Sequence, residues 1–287
     1  MRVDELCRSG DCYTPALGNN SLPWRWQPYN RALVSSRFGA TMSVTELVLF
    51  LSTIFLGGLV SGFAGFALGL VVSPVWLHLF PPLQAAVMIV GCGLFMQGYA
   101  TWRLRRALSW RHMWPFIFGG AIGVPIGALL LTRIDPSYLR IGVGVLLIVY
   151  STYGLARPAI KPIHAGVPGD LTIGVFNGLL SGLTGLPGVI ITIWCQSRGW
   201  PKDLQRSIFQ PVILVTLCMS FVALAAAGAV TLPTVKTFAL GLPALFAGAW
   251  SGMHLYGKID EATFRKAVLV LLLVSGITLV VPFSLFQ

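Results

Sequence analysis

Eight long apolar segments constrain this chain more than any other feature of its sequence. A helix needs about 20 apolar residues to cross the roughly 30 Å of hydrocarbon in a bilayer. Beyond residue 43, the segments run approximately over residues 44–79, 84–102, 113–132, 138–156, 171–194, 207–228, 234–256 and 264–281. None of them alternates apolar and polar residues as a membrane β-barrel strand must. The chain is therefore predicted to be an all-α membrane protein that crosses the bilayer several times, with each backbone group satisfied inside its own helix.

The charged residues agree with a membrane setting. Only 10% of the 287 residues are charged, against about a quarter in soluble domains. The net charge of +11 could indicate a nucleic acid partner, but the basic residues stand in short loops between apolar segments, as Arg103, Arg105 and Arg106 do. Basic loops are typical of the cytoplasmic side of membrane proteins. We therefore expect the lipid bilayer as a partner, and no nucleic acid.

The first 43 residues differ from the rest of the chain. This polar extension is rich in Pro, Trp and Asn and lacks the apolar stretch of about 7 to 15 residues that a cleavable signal peptide needs. Met42 is followed directly by Ser-Val-Thr-Glu and the first apolar segment. We hypothesise that translation starts at Met42, which the intact mass of the native protein would test.

The chain also aligns with itself. Residues 58–65 (GLVSGFAG) match residues 178–185 (GLLSGLTG) at an offset of 120. Further matches follow in the same order at offsets of 121 and 125: Leu83-Gln84 with Leu204-Gln205, and Ile134-Asp135 with Ile259-Asp260. Because order and spacing are kept, we predict two homologous four-segment repeats, residues 44–156 and 170–287, joined by a linker over residues 157–169.

The loop charges predict how the two repeats are oriented. If all eight segments cross once, the basic residues beyond position 43 divide evenly between the two faces. If the first segment of each repeat is re-entrant and turns back at its Ser-Gly motif, twelve loop residues face inside and three outside. A variant in which only the second motif segment is re-entrant keeps this assignment. In both cases an odd number of crossings separates equivalent loops of the two repeats, so the repeats are predicted to be inverted.

Two interpretations fit the glycines around Ser61-Gly62 and Ser181-Gly182. Glycines four residues apart let helices pack closely. Alternatively, the helix breaks at each motif, and a new half-helix, for which Pro187 suits the first turn, exposes free amides to an anion. On the second interpretation, the substrate-binding residues are Ser61, Gly62, Gly65, Asn177, Ser181, Gly182, Thr184 and Gly185.

The remaining side chains favour a transporter of a small anion. None of the nine acidic residues is central to an apolar segment, whereas cation and proton pumps usually carry an intramembrane carboxylate. The sequence contains no phosphate-binding, zinc-protease or nucleophile-elbow motif, and we predict no enzyme activity, metal or cofactor. The sequence leaves the oligomeric state open. The alternative function is a non-transporting membrane scaffold or assembly factor whose glycines serve helix packing.

The paired GLxSGxxG motifs, the duplication and the I-D-x-x-x-x-R loops resemble the TauE/SafE sulfite exporter family, from Met42 to the C-terminus. The resemblance implies a bacterial cytoplasmic-membrane permease for sulfite, an organosulfonate or a carboxylate. It places Gly62, Gly65, Gly182 and Gly185 in the regions of the family's signature glycines. The triple glycine often found after each motif is replaced here by Phe66-Ala67-Leu68-Gly69 and Leu186-Pro187-Gly188, so the resemblance does not fix the substrate.

Overall fold

The computed structural model describes residues 43–64, 67–104, 110–156, 165–255 and 261–280, all within one compact unit. These residues form ten α-helices and no strand. The helices are α1 (Val44–Ala64), α2 (Leu68–Leu79), α3 (Pro82–Leu104), α4 (Trp110–Leu131), α5 (Pro136–Ala156), α6 (Gly166–Thr184), α7 (Gly188–Ser197), α8 (Lys202–Ala226), α9 (Leu232–Leu255) and α10 (Glu261–Val280). The polar extension up to Met42, Gly65, residues 157–164 of the predicted linker and Asp260 lie outside the described residues.

The all-α prediction is confirmed, with a refinement in two places. Each segment that carries a Ser-Gly motif consists of two helices, so the first comprises α1 and α2 and the fifth comprises α6 and α7. Among the described residues, six helices are long and apolar enough to cross a membrane, namely α1, α3, α4, α5, α8 and α9. The chain is therefore a multi-pass helical membrane protein. We call α1–α5 the first half and α6–α10 the second half.

Helices α1 and α2 form an antiparallel hairpin. The indole Nε1 of Trp76, near the end of α2, donates a hydrogen bond of 3.2 Å to Oγ1 of Thr53 in α1. One turn earlier in α1, Phe50 packs against Trp76 and Phe80, with ring centroids 5.4 and 5.8 Å away. These contacts require α1 and α2 to run in opposite directions.

Helices α6 and α7 form a second hairpin, which is closed by polar contacts. Asp170, near the start of α6, accepts hydrogen bonds from Nε1 of Trp194 at 2.7 Å and from Nη2 of Arg198 at 3.1 Å. The Arg198 guanidinium also lies 5.0 Å from the ring centroid of Trp200. Because Arg198 is the residue directly after α7, the chain reverses its direction at residues 185–187. The Asp170 carboxylate is buried but paired, which offsets the cost of removing it from water.

Close glycine contacts join the halves. On α4, a Cβ atom added at Gly123 or Gly127 would overlap the carbonyl oxygen of Val175 or Leu179 on α6, and Gly182 faces the backbone of α4 in the same way. The side-chain-free surfaces let the two backbones touch, as in small-xxx-small packing. Helix α6 of the second half is thereby held against α4 of the first.

The same arrangement recurs between α9 and α1. Added Cβ atoms at Gly248 and Gly252 of α9 would overlap the carbonyl oxygens of Phe55 and Leu59, and Gly62 of α1 faces the backbone of α9. Gly248 and Gly252 lie 125 residues after Gly123 and Gly127, which is the offset of the self-alignment in this part of the repeats, and Gly62 aligns with Gly182. The first helix of each half, which carries the Ser-Gly motif, thus packs on the fourth helix of the other half: α1 on α9 and α6 on α4.

The outer surface is apolar. On α4, the large side chains of Phe118, Ile122, Ile126 and Leu129 recur every three or four residues and are exposed, while the glycine face of the same helix is buried. A helix in lipid needs no polar outer face, because the hydrocarbon around it is as apolar as its side chains. The buried centre is formed largely by α3 and α8, which between them bury Met88, Ile208 and Leu217.

Candidate functional site

The tips of the two hairpins meet inside the protein. Gly69 stands in the first turn of α2, and a Cβ atom added there would overlap Cδ2 of Leu186, in the turn between α6 and α7. The same added atom would lie 2.9 Å from Cγ2 of Ile89 on α3 and 3.7 Å from the carbonyl oxygen of Gly185. The two turns therefore contact each other beside α3.

A cavity of about 50 Å³ lies at this contact. It is lined by Ser61, Ala67, Leu68, Gly69, Leu70, Ile89, Gly93, Met96, Gln97, Gly185, Leu186, Pro187, Gly188, Val189, Ile213 and Leu217. A cavity needs about 10 to 15 Å³ of volume for each water molecule that it holds. The cavity therefore has room for a few water molecules or for one small ion stripped of its hydration shell.

Two helices begin at this cavity without a side-chain cap. The residue before α2 is Ala67 and the residue before α7 is Pro187, and neither supplies a capping hydrogen bond. Helices normally begin with Ser, Thr, Asp or Asn, whose side chain satisfies the first free amides. The first-turn amides of α2 and α7, at residues such as Gly69 and Val189, are therefore available to a ligand that accepts hydrogen bonds.

The turn before α2 is also strained. Ala67 has φ 80°, the left-handed region, and no other non-glycine residue described has a positive φ. In the second hairpin, Gly185 has φ 75°, which glycine adopts without cost. A strained backbone that persists next to a cavity is common at ligand sites, because the surrounding packing holds it in place.

Gln97 of α3 brings an unsatisfied amide to the cavity. Its side chain is 4% exposed, and its Oε1 has no hydrogen-bond partner within the described part of the chain. A buried polar group without a partner costs about 1 to 3 kcal/mol. Oε1 accepts hydrogen bonds, so in a cavity wall it indicates a water molecule or a ligand group that donates one, while the NH2 group of the same side chain can donate to a ligand.

Two of the predicted site residues line this cavity, namely Ser61 and Gly185. Gly65 lies outside the described residues. Gly62 and Gly182 lie elsewhere, because they are inside α1 and α6 and face the backbones of α9 and α4. The predicted break at the Ser-Gly pairs is thus wrong in position, since each helix continues past the pair to Ala64 or Thr184. Glycines spaced by four serve helix packing here, and the chain breaks only beyond them.

The other predicted residues lie along α6, outside the cavity wall. The hydroxyl of Ser181 is hydrogen-bonded to that of Ser220 on α8 at 2.8 Å, and Thr184 donates to the carbonyl oxygen of Leu180 at 2.8 Å. Asn177 is buried, and its Oδ1 has no partner among the described residues. A role for these three residues in substrate binding stays a prediction.

The residues that the sequence did not assign to the site are Gln97 and the apolar wall from α3 and α8, such as Met96 and Ile213. The sequence contains more than one glutamine within an apolar segment, and only Gln97 of these lines the cavity wall. Gln210 of α8, for example, is buried with an unpartnered Oε1 and does not line the cavity. Gln97 is distinguished from Gln210 only by the packing of α3 against the hairpin tips, which the sequence does not reveal.

Among the described residues, no charged side chain lines the cavity. The acidic residues whose side chains the structure describes lie elsewhere: Glu46 is in the first turn of α1, Asp170 is paired with Arg198, and Asp135 lies between α4 and α5. The Ser137 amide donates to Asp135 at 2.8 Å and holds the pKa of that exposed carboxyl below its ordinary value. Within the described residues, no group of three or more His, Cys, Asp and Glu side chains could hold a metal ion.

The fold defines a multi-pass helical membrane protein, with an interior cavity at which two helices begin. The model of the family described as Sulfite exporter TauE/SafE matches residues 50–279. The chain belongs to the TauE/SafE sulfite exporter family, a family of membrane transporters. The predicted resemblance is thereby confirmed. Comparisons with curated proteins and with solved structures gave no match.

Proposed function

We propose that this protein is a secondary transporter, a permease, that binds a small anion in the cavity between the two hairpin tips. The substrate class is sulfite, an organosulfonate or a small carboxylate. One observation carries the proposal: α2 and α7 both begin at a single cavity, and neither has a side-chain cap. The N-terminus of a helix without a side-chain cap has free amides and a partial positive charge, which together favour the binding of an anion.

The other donors at the cavity fit the same ligand. The amide of Gln97 and the hydroxyl of Ser61 both lie in its wall and can donate to an oxyanion. Hydrogen bonds to a charged acceptor are roughly twice as strong as those between neutral groups. The protein can therefore hold an anion without a lysine or arginine in the membrane interior, and release it again without breaking a strong ion pair.

The proposal extends to how the two halves move. The halves are inverted repeats, and the hairpins α1–α2 and α6–α7 are re-entrant, so that each half contributes one tip to the site. The crossed glycine contacts at paired positions support this arrangement, as do the hairpin contacts of Trp76 and Asp170. Inverted repeats around a shared site permit access from alternate sides. The protein then resides in the bacterial cytoplasmic membrane and runs on an ion or substrate gradient.

Accessibility measurements test the inverted arrangement. Single cysteines placed in the loop at residues 198–202 and in the loop at residues 256–260 should react with a membrane-impermeant maleimide from the same side of the membrane. A cysteine in the loop around Arg133 should react from the other side. Labelling of the first two loops from opposite faces contradicts inverted repeats.

One observation favours the scaffold as a second candidate. The contacts of Gly58, Gly62, Gly178 and Gly182 explain these motif glycines by helix packing alone. Proteoliposomes offered sulfite, sulfoacetate, sulfolactate and acetate, with and without a proton gradient, separate the two functions. A transporter accumulates at least one of these anions, and a scaffold gives no flux above that of empty liposomes.

A further inference from the structure

We infer that the cavity selects anions that carry one negative charge and rejects anions that carry two. The inference rests on the proposed function and concerns the charge of its substrate. Its basis is the balance between the positive charge that the site supplies and the negative charge that it must hold.

The described side chains of the cavity wall supply no charge. Apart from Ser61 and Gln97, the lining residues are glycine, alanine, proline and larger apolar residues. The basic residue nearest in sequence to the second tip, Arg198, lies at the far end of α7 and is paired with Asp170. Neutral donors orient an anion, but they leave its net charge uncompensated.

The positive charge of the site therefore comes from helix ends. The N-terminus of a helix acts as about half of an elementary positive charge. Two such ends meet here, those of α2 with 12 residues and α7 with 10 residues. Together they supply about one elementary charge, which balances a monoanion and leaves the second charge of a dianion without a partner.

The size and apolarity of the cavity keep water from making up the difference. With about 50 Å³ between walls that include Ile89, Ile213 and Leu217, a bound anion cannot bring its hydration shell. A buried charge without a partner retains most of the cost of leaving water. A dianion is hydrated far more strongly than a monoanion of the same shape, so the free-energy cost of removing the hydration shell is much larger for the dianion.

Matched pairs of anions test the inference by uptake into proteoliposomes at pH 7.5 and zero membrane potential. Isethionate and sulfoacetate both carry a sulfonate on a two-carbon skeleton. The other end is a neutral hydroxyl in isethionate and a charged carboxylate in sulfoacetate. Perchlorate and sulfate are both tetrahedral and differ by one charge. We expect the monoanion of each pair to bind at least about 100-fold more tightly, measured as direct uptake for the first pair and as competition against isethionate uptake for the second.

A change at Gln97 provides the internal control. Gln97→Lys adds a cation to the wall and should raise the uptake of sulfoacetate relative to isethionate by about tenfold or more, whereas Gln210→Met, outside the cavity wall, should leave that ratio as it is. A wild-type protein that takes up sulfoacetate as fast as isethionate overturns the charge selection while anion transport stands. If isethionate, sulfite and acetate all fail to enter, the proposed function itself is overturned.

Discussion

The replacement Gln97→Met removes one donor from the proposed anion site with little change in side-chain volume. Gln97 lies in the cavity wall, where its side-chain NH2 group can donate a hydrogen bond to an anion. A hydrogen bond to a charged group contributes about 1.5 to 3 kcal/mol. At 1.4 kcal/mol for each factor of ten, anion binding should weaken by about 10- to 100-fold.

The same replacement should not weaken the fold. It removes the buried Oε1, which has no hydrogen-bond partner among the described residues, and a buried atom in that condition costs about 1 to 3 kcal/mol. We therefore expect the ligand-free protein to be as stable as the wild type, or more stable by about 1 kcal/mol. Loss of function together with retained or increased stability distinguishes a binding group from a packing group.

Gln210→Met is the matched control, because Gln210 is also buried and unpartnered at Oε1 but lies outside the cavity wall. Concentration-dependent uptake of the best transported anion gives KM, and thermal unfolding in detergent gives stability. The reasoning is refuted if Gln97→Met transports with the wild-type KM, or if both replacements raise KM equally.

Three further predictions concern stability. Gly182→Leu should prevent folding, because the added side chain overlaps the backbone of α4, and size-exclusion chromatography should show aggregated or absent protein. Asp170→Ala should lower the free energy of unfolding by roughly 3 kcal/mol by removing the buried carboxylate to which Arg198 and Trp194 donate, and Asp170→Leu combined with Arg198→Leu should restore part of it in thermal unfolding. The lowered pKa of Asp135 means that its bond to Ser137 stabilises the fold above about pH 4, and this contribution should fade as the pH falls further. Asp135→Ala should remove that acid-dependent loss, measured by unfolding from pH 3 to pH 6.

Much of the fold could be predicted from segment length alone. The eight apolar segments correspond to helices, and the unusual length of the segment over residues 44–79 is explained by the hairpin of α1 and α2. The contact that closes the second hairpin was not foreseen. Asp170 and Arg198 each read as ordinary loop charges, and only the reversal of the chain at residues 185–187 brings them together.

The sequence predicted that helices break near the two Ser-Gly motifs, but not at which residues they break. Glycines that break a helix and glycines that pack one against a neighbour look the same in a sequence, so the break was expected at Gly62 and Gly182. The structure separates them by conformation, since Gly185 has a positive φ and Gly182 lies inside a helix. Gln97 could not be chosen over Gln210, because the difference between them is a tertiary contact with no local signal.

The central claim is that an anion binds between the hairpin tips, and locating a bound anion tests it most directly. A crystal structure of the protein soaked in selenite, a heavier analogue of sulfite that scatters anomalously, would show where the anion lies. The account predicts an anomalous peak within hydrogen-bond distance of the first-turn amides of α2 and α7, near Gly69 and Gly188, and beside the amide of Gln97. A protein that transports the anion but shows the peak elsewhere, with this cavity empty, would contradict the account.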